Sequence, residues 1–177
     1  MDEVNIVEYD PCWQTLFAQE AERIWQALGN NLVAEIEHIG STAVPGMAAK
    51  PVIDIMVGVH SLVDAKSAVS ILESLGYVYW REDPRPRRMF FVKGMPPYGK
   101  QRTHHVHIVE INSEFWERKL FCDYLRRHSE EAKRYEALKR SLAATFRSDR
   151  EAYTNGKNDY IQAVMSKARC EKMGKKE

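Results

Sequence analysis

The spacing of hydrophobic residues changes along the chain, and each spacing predicts a type of element. After Asp10 and Pro11, an N-cap acceptor followed by proline at the first helical position, apolar residues recur at three- to four-residue steps and predict a helix that Gly29 ends. A second amphipathic helix is predicted over residues 61–76, and helical spacing returns from Ser113 onward. The predicted strands are residues 5–8, 32–39, 51–57, 77–80, 89–92 and 103–111.

The order of these elements predicts the fold class. A turn at residues 83–86, rich in proline and charge, joins two of the short strands as a hairpin. Because strands are grouped in the middle with helices first and last, we predict an α+β fold with a mixed, largely antiparallel sheet and helices packed on it. Residues 1–170 are predicted to form a single domain, followed by a frayed tail at 171–177.

Composition and charge exclude several classes of protein. Lysine plus arginine (26) nearly balances aspartate plus glutamate (25), so no overall field attracts the chain to nucleic acid or to an anionic membrane. No run of about 18 uncharged apolar residues is present, and no signal-peptide core follows the acidic start. Three cysteines without a C-x-x-C pair suit a reducing compartment. We therefore expect a cytoplasmic protein.

A glycine–serine turn follows one of the predicted strands. Gly40 exposes backbone N–H groups with no Cβ in the way, and Ser41 and Thr42 add hydroxyl donors, a combination that suits phosphate oxygens. With His38 at the start of this segment and Lys50 at its end, these five residues are candidate ligand-binding residues. The alternative is that Gly40 merely permits a tight turn, since Gly-Ser dipeptides are common turn formers.

Asp54 stands inside an apolar strand, four residues after Lys50. A carboxylate in such a strand is costly unless it is paired, hydrogen-bonded or bound to a metal. Asp54 is therefore a candidate catalytic and metal-binding residue. The alternative is a structural ion pair with Lys50 or an arginine.

A histidine-rich strand forms a second cluster. Alternation places His105 and His107 on one face, and His104 on the other with Glu110. Two imidazoles on one face can bind a divalent metal, act as acid and base, or donate to an anion. The alternative is that one of them is a core histidine bonded to a backbone carbonyl.

Two cations outside these segments are further candidates for ligand binding. Three arginines crowd the hairpin turn, and Arg88 is favoured because it stands at the edge of the following strand, where its fork suits phosphate. Tyr153, Lys157 and Tyr160 fall on one predicted helical face, so Lys157 could reach a pocket from it. Solvation at the hairpin tip and snorkelling of the lysine are the alternatives.

With these residues, the sequence resembles the GrpB family, also called UPF0157, over nearly the whole chain. The most specific segments are residues 38–46, His-Ile-Gly-Ser-Thr-Ala-Val-Pro-Gly, and 48–55, Ala-Ala-Lys-Pro-Val-Ile-Asp-Ile. His-His-Val-His at 104–107 supports the resemblance. It extends from Tyr-Asp-Pro-x-Trp at 9–13 to Tyr-x-x-x-Lys at 153–157.

The resemblance implies a fold and a chemistry. GrpB-like proteins are similar to the nucleotidyltransferase superfold, in which a Gly-Ser turn holds phosphates and an Asp-x-Asp on the next strand binds divalent metal. Gly40, Ser41 and Asp54 match these positions, whereas Met56 replaces the second carboxylate with a poor ligand for Mg²⁺. His105 or His107 could substitute, although imidazole favours zinc, manganese or nickel. Occurrence of GrpB-like domains in fusion with dephospho-CoA kinases implies an adenine-containing, phosphorylated ligand.

Two functions are therefore expected from the sequence. The first is a nucleotidyltransferase-like protein that binds a phosphorylated, nucleotide-like small molecule, with Asp54 and His107 as catalytic residues and Asp54, His105 and His107 as ligands of Mg²⁺, Mn²⁺ or Zn²⁺. The alternative is a non-catalytic module that binds a nucleotide or CoA-type ligand and has lost the second carboxylate at Met56. A nucleic-acid-binding protein using arginines at 81–88 beside aromatic residues is disfavoured by the near-zero net charge.

Overall fold

The computed structural model describes residues 3–85 and 87–174, and within them five strands form one mixed sheet of order β1-β2-β5-β4-β3. Strands β2 and β5 run parallel, and the other neighbouring pairs run antiparallel. The predicted α+β fold with a mixed, largely antiparallel sheet is confirmed. The strands are β1 (Val33–Ile39), β2 (Ile53–Val59), β3 (Tyr77–Tyr79), β4 (Met89–Lys93) and β5 (His104–Glu110).

Helices lie before, between and after the strands. The first begins where the sequence predicts, because Asp10 Oδ1 accepts a hydrogen bond from the Cys12 N–H at 2.8 Å. No helix of the described residues is both long and apolar enough to cross a membrane. The helices are α1 (Cys12–Leu28), α2 (Ala68–Ser74), α3 (Lys119–Arg127), α4 (Ser129–Thr145), α5 (Arg150–Asn155) and α6 (Asn158–Gly174).

The alternation of side chains along β2 and β5 divides the sheet into two faces. In the parallel register, Asp54 lies beside His105 and Met56 beside His107, and these four side chains define the front face. The front face packs against α3, α4 and α6, whereas the back face packs against α1 and α2 around Ile55. Each face thus has its own layer of helices, and the chemistry-bearing side chains of β2 and β5 share the front one.

Two predicted elements differ in the structure. Residues 5–8 form no strand, because Val7 pairs only with Ala49 in the loop, through one isolated bridge. The last predicted helix breaks into α5 and α6, so Lys157 stands in the connection rather than inside a helix. Helix α6 extends to Gly174, and residues 175–177 of the predicted tail lie outside the described residues.

Candidate functional site

A carboxylate and two imidazoles meet on the front face. Asp54 Oδ1 lies 2.8 Å from His105 Nδ1 and 3.7 Å from His107 Nε2. The Asp54 side chain is 29% exposed, whereas those of the histidines are 12% and 10% exposed. We call these three residues the carboxylate–histidine cluster. The Asp54 side chain is thus held from the sheet side and remains partly exposed.

The glycine–serine turn touches this cluster. Gly40 has φ +75° and ψ −175°, a region that only glycine adopts readily. A Cβ added at Gly40 would lie 2.6 Å from Asp54 Oδ2, closer than real Cβ contacts allow. Gly40 is therefore required both for the turn and for the approach of the Asp54 carboxylate.

Hydrogen bonding sets the charges of the cluster. Burial opposes ionisation of Asp54, but the hydrogen bond from His105 and the nearby His107 ring outweigh it and hold the pKa of the carboxyl well below its usual range. Burial lowers the pKa of His107 to about 4, against the opposing effect of Asp54, and burial also lowers the pKa of His105. At neutral pH the cluster consists of one anion and two neutral imidazoles.

Two lysines near the cluster contact the same aromatic ring. The ammonium groups of Lys50 and Lys157 stand 4.9 Å and 4.3 Å from the centroid of the Tyr153 ring, and both are within electrostatic range of Asp54. Neither lysine forms an ion pair with a carboxylate of the described residues. We call Lys50 and Lys157 the lysine pair.

Desolvation and repulsion by neighbouring cations destabilise the charged form of both lysines of the pair. Burial, with the charges of Arg150 and Lys157, lowers the pKa of Lys50 to about 7. Burial lowers the pKa of Lys157 to about 8. An anion placed between the two ammonium groups would relieve both effects, because it favours the protonated forms.

Arg88 contacts the cluster from the hairpin, but in another way than predicted. Its Nη1 lies 2.9 Å from His107 Nδ1, and its Nε forms an ion pair with Asp83. The Arg88 side chain is only 3% exposed and lies against the Phe90 ring. Since two of its donors are used inside the protein, Arg88 supports His107 rather than facing solvent.

His38 and Thr42 are not brought to the cluster. His38 lies on the back face, stacked on Phe17 with ring centroids 4.5 Å apart, and its Nε2 is 3.0 Å from Thr42 Oγ1. The Thr42 hydroxyl also donates to the Val52 carbonyl at 3.4 Å. Both side chains are buried, so they hold the turn in place from within, and Ser41 beside them is only partly exposed.

Charged residues of α3 and α4, which carried no signal in the sequence, clamp the same loop. Arg126 Nε donates to the Ala43 carbonyl at 3.0 Å. On α4, Glu136 accepts from the Ala48 N–H at 2.9 Å, and the buried Lys139 donates to the Ala48 carbonyl at 2.5 Å. Their helical spacing resembles that of a solvated face, so only the tertiary contact reveals this role.

The donor set decides which metal arrangement fits. One ligand atom each from Asp54, His105 and His107 lies within 4.8 Å of the others, so the predicted ligands do converge. Met56, where the second carboxylate of the nucleotidyltransferase pattern would stand, is fully buried in the front core. The two-metal arrangement implied by the resemblance therefore does not fit these residues.

A family model described as GrpB protein matches residues 3–167. A UPF0157 protein of Pseudomonas aeruginosa is 46% identical over 167 residues, which cover 94% of this chain and 68% of that protein. The crystal structure of conserved protein GrpB from Enterococcus faecalis is similar with a TM-score of 0.82 and 34% identity, over 93% of this chain and 96% of that chain. A dephospho-CoA kinase of Mycolicibacterium paratuberculosis is 39% identical over 77 residues, 42% of this chain and 19% of the kinase.

Proposed function

The chain belongs to the GrpB family, and we propose that it binds a phosphate-bearing, nucleotide-like ligand between the lysine pair and the carboxylate–histidine cluster. The phosphate would contact Lys50 and Lys157, and the Gly40–Ser41 turn would border it. Arg88 and the buried His38 and Thr42 would support this site from within rather than touch the ligand.

The single observation that carries this proposal is the lysine pair itself. Two partly buried ammonium groups share the Tyr153 ring without a carboxylate partner among the described residues. Such an arrangement costs free energy in the absence of an anion, because each charge is desolvated and repelled by neighbouring cations, Arg150 among them. A phosphate supplies two negative charges and several acceptor oxygens at once.

The ligand class rests on a weaker but independent observation. A dephospho-CoA kinase is 39% identical to this chain over an aligned segment of 77 residues. That likeness favours a nucleotide or CoA-type molecule among phosphorylated compounds.

Metal-dependent nucleotidyl transfer is a second candidate function, favoured by the convergence of Asp54, His105 and His107 within 4.8 Å. A single ion held there would polarise a phosphoryl oxygen. Ligand binding without metal favours a non-catalytic binding module. Nucleotide turnover favours an enzyme if it needs Mn²⁺ or Zn²⁺ and is lost in Asp54→Asn.

A thermal-shift and affinity screen tests the proposal with ATP, CoA and inorganic pyrophosphate, each with EDTA and with a divalent metal. We expect at least one probe to raise the melting temperature with EDTA present, and Lys50→Met or Lys157→Met to weaken its binding at least about tenfold.

Lys133→Met is the matched control, because Lys133 is 73% exposed and paired with Glu130 on α4. Equal affinity of all three variants for every probe would contradict the proposal.

A further inference from the structure

Arg88 and His107 form a contact whose proton positions are fixed by the chemistry of arginine. A guanidinium has only N–H donors and no acceptor. Arg88 Nη1 lies 2.9 Å from His107 Nδ1, so Nδ1 must accept and cannot carry a proton. The neutral imidazole then carries its proton on Nε2, the nitrogen that faces Asp54 Oδ1 at 3.7 Å.

We propose that Arg88 is a positioning residue that fixes the proton of His107 on Nε2, directed at Asp54, and thereby withholds this histidine from metal ions. A metal at the cluster would need the lone pair of His107 Nε2. If the proton moved to Nδ1, the Nδ1–H donor of His107 would face the N–H donor of Arg88, with no acceptor between them. His107 therefore stabilises the Asp54 carboxylate rather than joining it as a ligand.

Arg88 is not free to turn away and release His107. Its Nε is held by Asp83, and the two side chains are 3% and 9% exposed. Its guanidinium also lies over the rings of Phe90 and Phe115, at 4.7 Å and 5.2 Å from their centroids. Displacing it would break a buried ion pair and leave Asp83 without this partner.

His105 differs from His107 in this respect. Its Nδ1 faces Asp54 at 2.8 Å, while its Nε2 is buried without a hydrogen-bond partner among the described residues. Its proton can move to Nε2 without opposing another donor, which frees Nδ1 for a metal. Asp54 and His105 thus stay competent as ligands while His107 does not, and the site offers a metal two protein ligands rather than three.

The test is a competition titration of Zn²⁺ and of Mn²⁺ against a chromogenic chelator, without phosphate. Arg88→Met should bind Zn²⁺ at least about tenfold more tightly than the wild type, the scale on which partners of metal ligands change affinity. The gain should vanish in Arg88→Met combined with His107→Gln. Arg87→Met, which removes an exposed charge from the same hairpin, should behave as the wild type.

The double variant separates ligation from charge. If the tighter binding survives His107→Gln, the gain comes only from removing a nearby positive charge, and the proposal is wrong. Unchanged Zn²⁺ affinity in Arg88→Met also overturns it.

A spectroscopic measurement on the wild type needs no variant. Long-range ¹H–¹⁵N correlation at pH 7 should show His107 neutral and protonated on Nε2. A proton on Nδ1 would overturn the proposal. Neither experiment uses phosphate, so this inference and the proposed function can fail separately.

Discussion

Glu20, on α1 at the back face of the sheet, and Asp54, on its front face, are two carboxylates with different arrangements of charge around them. On the back face, Glu20 accepts hydrogen bonds from Tyr77 at 2.9 Å and from Lys93 at 2.6 Å, and it pairs with Arg23. On the front face, Asp54 is bonded by neutral histidines, while the cations of the lysine pair stand apart from it.

Burial alone does not separate a structural carboxylate from a functional one in this fold. Burial opposes ionisation of both carboxylates, and hydrogen bonds lower the pKa of both. Around Glu20 the cations bond directly to the anion, so the group is complete without a ligand. Around Asp54 the cations of the lysine pair do not bond to it, so an added anion has a place to bind.

Removing the charge of Glu20 should cause the largest loss of stability. We expect Glu20→Gln to lower the free energy of unfolding by about 3 kcal/mol, because Lys93 would lose its buried partner. Asp54→Asn should cost only about 1 kcal/mol, since its hydrogen-bond partners are neutral and its side chain is partly exposed.

Urea denaturation measures both losses, with Glu22→Gln on the exposed side of α1 as the control. Equal losses for Glu20→Gln and Asp54→Asn would remove the distinction between the two faces.

The contact between the turn and Asp54 should give the next largest effect. Gly40→Ala adds a Cβ against Asp54 Oδ2 at a glycine-only conformation, so we expect a loss of about 2 kcal/mol. Gly46→Ala is the control, because its φ is also positive at +77° but its Cβ would meet nothing within 4 Å, and about 1 kcal/mol is expected.

Unfolding measurements on the two glycine variants isolate the clash with Asp54. Similar losses at both positions would mean that the Asp54 carboxylate yields without cost.

A smaller effect is expected in the dependence of stability on pH. The pKa of Lys50 is about 7 in the folded chain, against an ordinary value of about 10.4. Between these values the unfolded chain binds more protons, so the free energy of unfolding should rise as pH rises from about 7. Lys50→Met should reduce this rise without abolishing it, because Lys157 and Lys139 contribute in the same direction.

Urea unfolding at pH 7, 8 and 9 without ligand measures this slope. Glu20→Gln should leave it unchanged, since the lowered pKa of Glu20 makes its contribution disappear only as pH falls into the acid range. A slope that Lys50→Met does not alter would contradict the described environment of Lys50.

The carboxylate–histidine cluster could be predicted from the sequence because strand alternation is a local rule. To place Asp54, His105 and His107 on one face, the prediction requires only two strands and the alternation of side chains along each. The sequence also predicts His38 as a ligand-binding residue beside Gly40 and Ser41, because the register of β1 is not visible in the sequence. In the structure Ile39, not His38, pairs with Asp54, so His38 points to the back face.

Partners distant in sequence could not be predicted, because similar patterns occur on solvated surfaces. In the sequence Arg88 resembles any exposed arginine of a hairpin turn. Only the structure shows that its guanidinium contacts both Asp83 and His107. The sequence predicts Lys157 and Tyr160 on one helical face, but Lys157 lies in the connection between α5 and α6, whereas the Tyr160 hydroxyl donates to Glu131 at 2.5 Å.

The most direct test of the lysine pair as a phosphate site is a calorimetric titration of pyrophosphate in EDTA at pH 7. The wild type should bind with measurable heat, more weakly as pH rises above about 8, and a variant with Lys50→Met and Lys157→Met together should not bind. Equal binding by the wild type and this double variant would contradict the account.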